Sequence, residues 1–144
     1  MPVTKVPARD YTFEIDPAGG TAWVEIGGIN TWSPNVTAEI TDTRDFDSGG
    51  NPEGMKMSQG DVITLDGYRK SDLANGTRDP GQAACETLDA EFGVDSIGAF
   101  RMTDPDGEVK AFDCLVKVTS GGGGNDDVTK WSVEITRNGA VTVS

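Results

Sequence analysis

The chain has 144 residues, which is the size of one domain and enough to bury a core without disulfides. Acidic residues number 24 against 12 basic ones, and the net charge of -12 excludes tight binding to nucleic-acid phosphates or anionic membrane surfaces. The chain has no histidine, which excludes serine–histidine and cysteine–histidine catalysis and histidine-bound zinc.

Nothing in the sequence predicts export or membrane insertion. It contains no run of 18 or more apolar residues, and its first residues lack the apolar stretch of a secretory signal. We therefore expect a protein that is used inside a cell or released by lysis. In a reducing compartment, Cys85 and Cys114 are predicted to be buried free thiols.

The first half of the chain predicts an arm followed by two strands. Residues 1–20 are interrupted by prolines and end in two glycines, which predicts an N-terminal arm. Residues 21–29 predict a strand, and residues 35–43 alternate between apolar and polar side chains. This alternation is typical of a half-buried antiparallel strand, so one face should meet the core. The core-facing residues are then Val36, Ala38 and Ile40, and the polar ones Thr37, Glu39 and Thr41.

Residues 42–60 are polar and glycine-rich, which predicts a long loop. Loops of this length in compact domains are usually functional or disordered. Phe46, Met55 and Met57 have no obvious partner within the loop, which favours a segment that becomes ordered against another subunit. A solvated surface loop is the alternative.

One helix is predicted, over residues 80–92, after a strand at 61–68. Asp79 offers the oxygen that caps a helix N-terminus, and Pro80 suits the first helical position. Apolar residues at 84, 88 and 92 share one face, and Gly93 is a typical terminating residue.

The rest of the chain predicts a meander of antiparallel strands. Strands at 97–103 and 108–119 are joined by a turn at 104–107, and a glycine-rich tip leads to a strand at 130–137. The predicted fold class is therefore mainly β. It is an antiparallel β-sandwich or barrel with one flanking helix.

The sequence marks no catalytic, cofactor or metal site. Asp104, Asp106 and Glu108 lack the spacing of a calcium loop, and the glycines at 121–124 lack the context of a phosphate-binding loop. The tryptophans leave a sugar-binding platform open. Trp23 and Trp131 lie on apolar strand faces, so Trp32 is the candidate for an exposed ring.

Several segments resemble the major tail (tail tube) proteins of long-tailed bacteriophages. Trp23-Val-Glu-Ile-Gly-Gly is followed by Pro34-Asn-Val-Thr-Ala-Glu-Ile-Thr-Asp-Thr-Arg-Asp-Phe-Asp-Ser-Gly-Gly. The helix start Asp79-Pro-Gly-Gln, the Asp106-Gly107 turn and the ending Gly-Asn-Asp-Asp with Trp131-Ser-Val-Glu-Ile follow in the family's order. The resemblance covers about residues 20–140. Some relatives have an additional immunoglobulin-like C-terminal domain, which we do not expect here.

The resemblance implies a structural virion protein without enzymatic activity. Hexameric rings would stack into a tube, with a long loop bridging to the neighbouring ring, so Phe46, Met55 and Met57 become the inter-subunit candidates. The implied partners are other copies of the chain and the tape measure, tail terminator and tail-tip or baseplate proteins. The protein would be located in the virion tail, and in the host cytoplasm during assembly.

The polar faces of the predicted strands would then line the channel through which DNA passes without binding tightly. Carboxylates dominate these faces, and like charge would keep DNA from adhering to the wall. The lumen-facing candidates are Thr37, Glu39, Thr41, Thr64, Asp66, Asp113, Lys117, Ser132, Glu134 and Thr136.

Three alternatives stay open. A carbohydrate-binding β-sandwich would use Trp32 and be a stable monomer. A tail terminator or baseplate ring subunit would share the fold but form a single ring. An enzyme would need a carboxylate pair that the sequence does not identify.

Overall fold

The structure, a computed structural model, describes residues 3–18 and 22–144. It is mainly β and antiparallel, as predicted, with one α-helix within the described residues. The elements are β1 (Thr12–Asp16), β2 (Val24–Glu25), β3 (Ile29–Asp42), β4 (Gly54–Tyr68), β5 (Ser71–Asp72), β6 (Thr77–Arg78), α1 (Pro80–Asp89), β7 (Gly98–Thr103), β8 (Val109–Ser120), β9 (Lys130–Arg137) and β10 (Thr142–Val143).

The main sheet has the order β2-β1-β7-β8-β9-β4-β3, and β10 joins it beside β8. Aromatic rings at and just before β1 contact Trp32 of β3, so these two strands, far apart in the sheet order, approach each other. The ring centres of Phe13 and Trp32 lie 5.5 Å apart, and those of Tyr11 and Trp32 lie 4.6 Å apart. Strands β5 and β6 form a separate small ribbon.

The core lies on one face of the main sheet, under α1. On β9, Trp131, Val133 and Ile135 are buried, as their alternation with polar residues predicts. From the helix, Cys85 and Leu88 complete the core. Both cysteines are buried free thiols, as expected. Burial, which disfavours the thiolate, raises the pKa of both, that of Cys114 to about 12.

The helix begins as predicted but ends earlier. Asp79 accepts a hydrogen bond from the backbone N–H of Gln82 at 3.2 Å. The helix ends at Asp89, so the predicted extension to 92 is wrong. Phe92 is 87% exposed because the chain turns away from the sheet before reaching it, and Gly93 adopts a φ of 67°. The spacing of apolar residues along a helix does not show where the sheet beneath the helix ends.

A buried side chain fastens the helix to the sheet. The Gln82 side-chain amide donates to the carbonyls of Gly27 at 3.0 Å and Tyr68 at 2.8 Å, and its oxygen accepts from Lys70 N–H at 3.0 Å. These bonds satisfy backbone groups at the bend before β3 and at the end of β4.

Two predictions for the first thirty residues need correction. The arm predicted over 1–20 is wrong at Thr12–Asp16, which form β1, with Phe13 and Ile15 buried. The strand predicted at 21–29 is interrupted: β2 covers only Val24–Glu25, the chain bends at Gly28, whose φ is 77°, and Ile29 already begins β3. Residues 1, 2 and 19–21 lie outside the described residues.

The long loop predicted over 42–60 is also shorter. Strand β4 already begins at Gly54, so the connection spans only residues 43–53. Residues 54–60 pair with the outer half of β3 and thereby satisfy their backbone hydrogen bonds despite their polar composition.

Candidate assembly surface

The most unusual feature is a two-stranded ribbon, defined here as residues 36–42 of β3 and 54–61 of β4. Strand β9 pairs with β4 only from Val62 onward, so beyond that point β3 and β4 have no other pairing partner among residues 3–18 and 22–144. The ribbon therefore has open edges. Open edges are ready to pair with another chain.

Both faces of the ribbon are exposed. The prediction that Val36, Ala38 and Ile40 meet the core is wrong, because Val36 is 57% and Ile40 69% exposed. The strand alternates as predicted, but it projects past the third strand and the helix that would cover it. Isolated hairpins of this kind are at best marginally stable in water. This apolar face therefore favours burial against another molecule.

Hydrogen bonds organise the tip of the ribbon. Asp45 caps a short 3-10 helix, Phe46–Ser48, and the Ser48 hydroxyl donates to Glu53 at 2.8 Å. Arg44 forms a 2.7 Å ion pair with Asp42. Hydrogen bonds from the Arg44 side chain and backbone N–H hold the pKa of the Asp42 carboxyl below its usual value. The tip presents Phe46 to solvent, fully exposed.

Of the inter-subunit candidates, Met55 and Met57 lie on β4 itself and are exposed there. With Phe46 at the tip, the three side chains occupy the distal part of one projecting element. Whether they contact another subunit stays a prediction.

The strand register gathers the lumen-facing candidates on one face of the sheet. Thr64 lies opposite Glu134, which in turn lies opposite Lys117 on β8. The same face continues along β3 at Ser33, opposite Thr64, and reaches the ribbon at Thr37. The register shift beside Glu39 skips Met57 of β4, while the residues of β3 stay consecutive. Thr41 therefore keeps its alternation with Thr37 and Glu39 along β3. This surface, the polar face, lies opposite the core.

The structure also uses residues that we did not single out from the sequence. At the root of the ribbon, Arg137 donates to the Gln59 carbonyl at 2.7 Å and lies 3.3 Å from the Asp61 carboxylate. It holds the ribbon where the β9 ladder stops. The sequence does contain a signal for this role: Arg137 is a charged residue at the position where the apolar alternation of β9 would place its next buried side chain.

None of the three tryptophans is a fully exposed ring. Trp131 is buried, as predicted. Trp32, the candidate for an exposed ring, is half-buried against β1, and its indole N–H donates to the Ala8 carbonyl at 3.3 Å. The Trp23 ring lies under the Arg101 guanidinium, 4.6 Å from it.

The Asp104 turn brings carboxylates together without needing a metal. The Asp104, Asp106 and Glu108 carboxylates approach within 4.8 Å of one another. The turn itself explains their proximity, since Gly107 N–H donates to the Asp104 carbonyl at 3.0 Å and Glu108 N–H to Asp106 at 3.1 Å. Among the described residues, no helix is long and apolar enough to cross a membrane.

The fold is that of tail tube subunits. The chain superposes on a subunit of the tail of an empty GTA particle, determined with C6 symmetry, with a TM-score of 0.75 and 18% identity over 96% of this chain and 98% of that one. A chain from the virion of a native gene transfer agent (GTA) superposes with a TM-score of 0.72 and 16% identity, over 96% of this chain and 98% of that one. A subunit of the SPP1 tail tube superposes with a TM-score of 0.70 and 13% identity, over 97% of this chain and 79% of that one.

A more distant similarity extends to a baseplate. A chain of the anti-feeding prophage baseplate gives a TM-score of 0.54 and 10% identity, over 100% of this chain and 96% of that one. No family model and no curated protein sequence matches the chain. The tail tube fold predicted from the resemblance is thus confirmed at the level of structure.

Proposed function

We propose that this protein is a structural subunit of a phage-type tail tube, which assembles into stacked hexameric rings. The observation that carries the proposal is the ribbon, a projecting element with apolar residues and open edges, on a fold shared with tail tube subunits. In a monomer these apolar side chains and strand edges are exposed, whereas neighbouring subunits in a ring would cover them. The role is structural rather than catalytic.

The ring also gives the polar face a function. We infer that this face lines the channel, since the sheet must turn one face inward and the other already covers the core. Its charged candidates are Glu39, Asp66, Asp113 and Glu134 against Lys117. Repeated around a ring, this excess becomes a strongly negative wall that DNA would pass without binding tightly.

The remaining parts of the proposal concern location and partners. The protein would function in the virion tail and assemble in the host cytoplasm. Tape measure, tail terminator and tail-tip or baseplate proteins would be its partners in the particle. No membrane or cofactor is required by the proposed role.

Electron microscopy of the concentrated protein tests the proposal directly. We expect six-fold rings, and tubes at high concentration or with a tail-tip complex that initiates assembly. Many stacked rings would distinguish a tube subunit from a terminator or baseplate protein, which forms one ring. A strict monomer under all these conditions would contradict the proposal.

Reversing charge on the polar face should slow DNA ejection. In phage particles with Glu39→Lys and Glu134→Lys, we expect ejection to be about two- to tenfold slower at low salt, with the difference shrinking as salt screens the attraction. Both side chains are exposed, so the variant should fold and assemble.

The control carries the same charge change away from the polar face. Glu91→Lys with Asp126→Lys replaces two exposed acidic residues, one after α1 and one in the loop before β9. We expect normal ejection from this control. Equal kinetics in the two variants at low salt would exclude an electrostatic role for the polar face.

A further inference from the structure

An apolar groove lies at the root of the ribbon, on the side opposite the polar face. It has a volume of about 300 Å³. Pro34 and Val36 of β3 form one wall, and Tyr11 and Phe112 contribute aromatic surface. Because Val36 is largely exposed, part of this apolar surface contacts water in the free subunit. The groove therefore favours an apolar occupant.

The groove also offers hydrogen-bond acceptors. Asp61 and Asp104 line it, and one carboxylate oxygen of each is shielded from solvent without a donor among the described residues. A buried acceptor that lacks a donor destabilises the folded protein. An occupant that carries N–H groups would remove this cost.

The rim beside Asp104 is negatively charged. Asp104, Asp106 and Glu108 crowd their carboxylates within 4.8 Å of one another, and Lys110 approaches Glu108 only to 3.8 Å. Like charges at this separation repel, and a cation placed among them would be attracted. Lys110 also lines the groove, and Arg137 lies 3.3 Å from Asp61, so two cations face the four carboxylates of the groove and its rim. The acids stay in excess, and the groove thus combines apolar walls with a rim that favours a positive charge.

One segment of this chain has the complementary character. Residues 3–7, Val-Thr-Lys-Val-Pro, place Lys5 between two valines, and the described N-terminal residues contain no acid before Asp10. In this acidic chain such a segment is unusual. Val3 and Val6 are exposed, so the segment does not fill the groove of its own subunit.

The ribbon tip is the competing occupant, since Phe46 is apolar and fully exposed. Asp42, Asp45, Asp47 and Glu53 outnumber the single cation of the tip, Arg44. The tip would bring negative charge to a negative rim. Charge complementarity therefore favours residues 3–7.

We propose that residues 3–7 of one copy dock in this groove of a second copy. Val3 and Val6 lie on the apolar walls, Lys5 meets the carboxylates of the rim, and backbone N–H groups supply the missing donors. The inference deepens the proposed function, because it names a contact between copies in the assembly.

Disulfide trapping between two different chains tests the docking. A Val6→Cys chain is mixed with a Val36→Cys chain, assembled and oxidised, so that a cross-link between the two can form only between copies. The native thiols are buried with raised pKa values and stay unreactive. The matched control is Val128→Cys, since Val128 is 60% and Val36 57% exposed. We expect at least about tenfold more cross-linking to Val36→Cys.

Substitutions at Lys5 test the charge. Lys5→Glu should reduce the cross-link severalfold at low salt and Lys5→Arg should preserve it, with the difference fading at high salt. A Val6→Cys/Val36→Cys chain that closes within isolated monomers, without linking copies, would overturn the assignment to a second copy.

Microscopy of the same samples separates this inference from the proposed function. Tubes without preferential cross-linking overturn the docking and leave the tube proposal intact. Preferential cross-linking in particles that are neither rings nor tubes supports the docking and contradicts the tube. If neither assemblies nor preferential cross-links form, both the docking and the tube proposal are contradicted.

Discussion

Replacing Gly81 with alanine should destabilise the protein strongly, although alanine is the better helix former. A Cβ at Gly81 would collide with the backbone of Glu25 and Ile26, where α1 packs directly on β2. Alanine is at most about 1 kcal/mol more favourable than glycine in a helix, and Gly81 is only the second helical residue, whereas overpacking costs about 1–3 kcal/mol and occasionally more. The obstacle is backbone, which cannot rotate away, so we expect the upper end of this cost to prevail.

Thermal unfolding measures the effect. A net loss of about 2 kcal/mol corresponds to a fall in Tm of about 4–8 °C for a domain of this size. Gly60→Ala is the control, because its Cβ would meet only the Thr37 hydroxyl, at an ordinary 3.5 Å. We expect its Tm to stay within a few degrees. An unchanged or higher Tm in Gly81→Ala would show that the helix is not held this closely.

The second large effect concerns assembly. Phe46→Asp should leave the subunit folded and abolish stacking, because Phe46 contacts solvent in the free subunit and is proposed to be covered in the tube. Exposed substitutions of this kind usually change stability by less than about 0.5 kcal/mol. Burying an unpaired carboxylate at an interface is far more costly. We expect normal unfolding curves and few or no tubes.

Phe92→Asp is the matched control for this variant. Phe92 is also largely exposed, but it lies after α1 and away from the ribbon. Tubes should form from it as from the unaltered protein. A normal tube yield from Phe46→Asp would contradict the inter-subunit role of the tip, and loss of tubes from both variants would show that any added acid is sufficient.

The local sequence predicts an element correctly where its residue pattern matches the surroundings that the fold provides. The alternation of β9 predicts its buried face because strands and helix do cover that face. The start of α1 is predictable because Asp79 and Pro80 act within one turn. The absence of histidine and the excess of acid likewise limit the chemistry before any fold is known.

Tertiary structure decided which apolar faces are covered. Val36 and Ile40 have the pattern of a core strand, yet they are exposed because β9 stops pairing at Val62. Phe13 and Ile15 lie in the segment where the prolines predict an arm, yet they are buried because β1 pairs with β7, far along the chain. Period-two alternation fixes which side chains share a face, but the packing of distant segments determines whether that face meets the core, water or a second subunit.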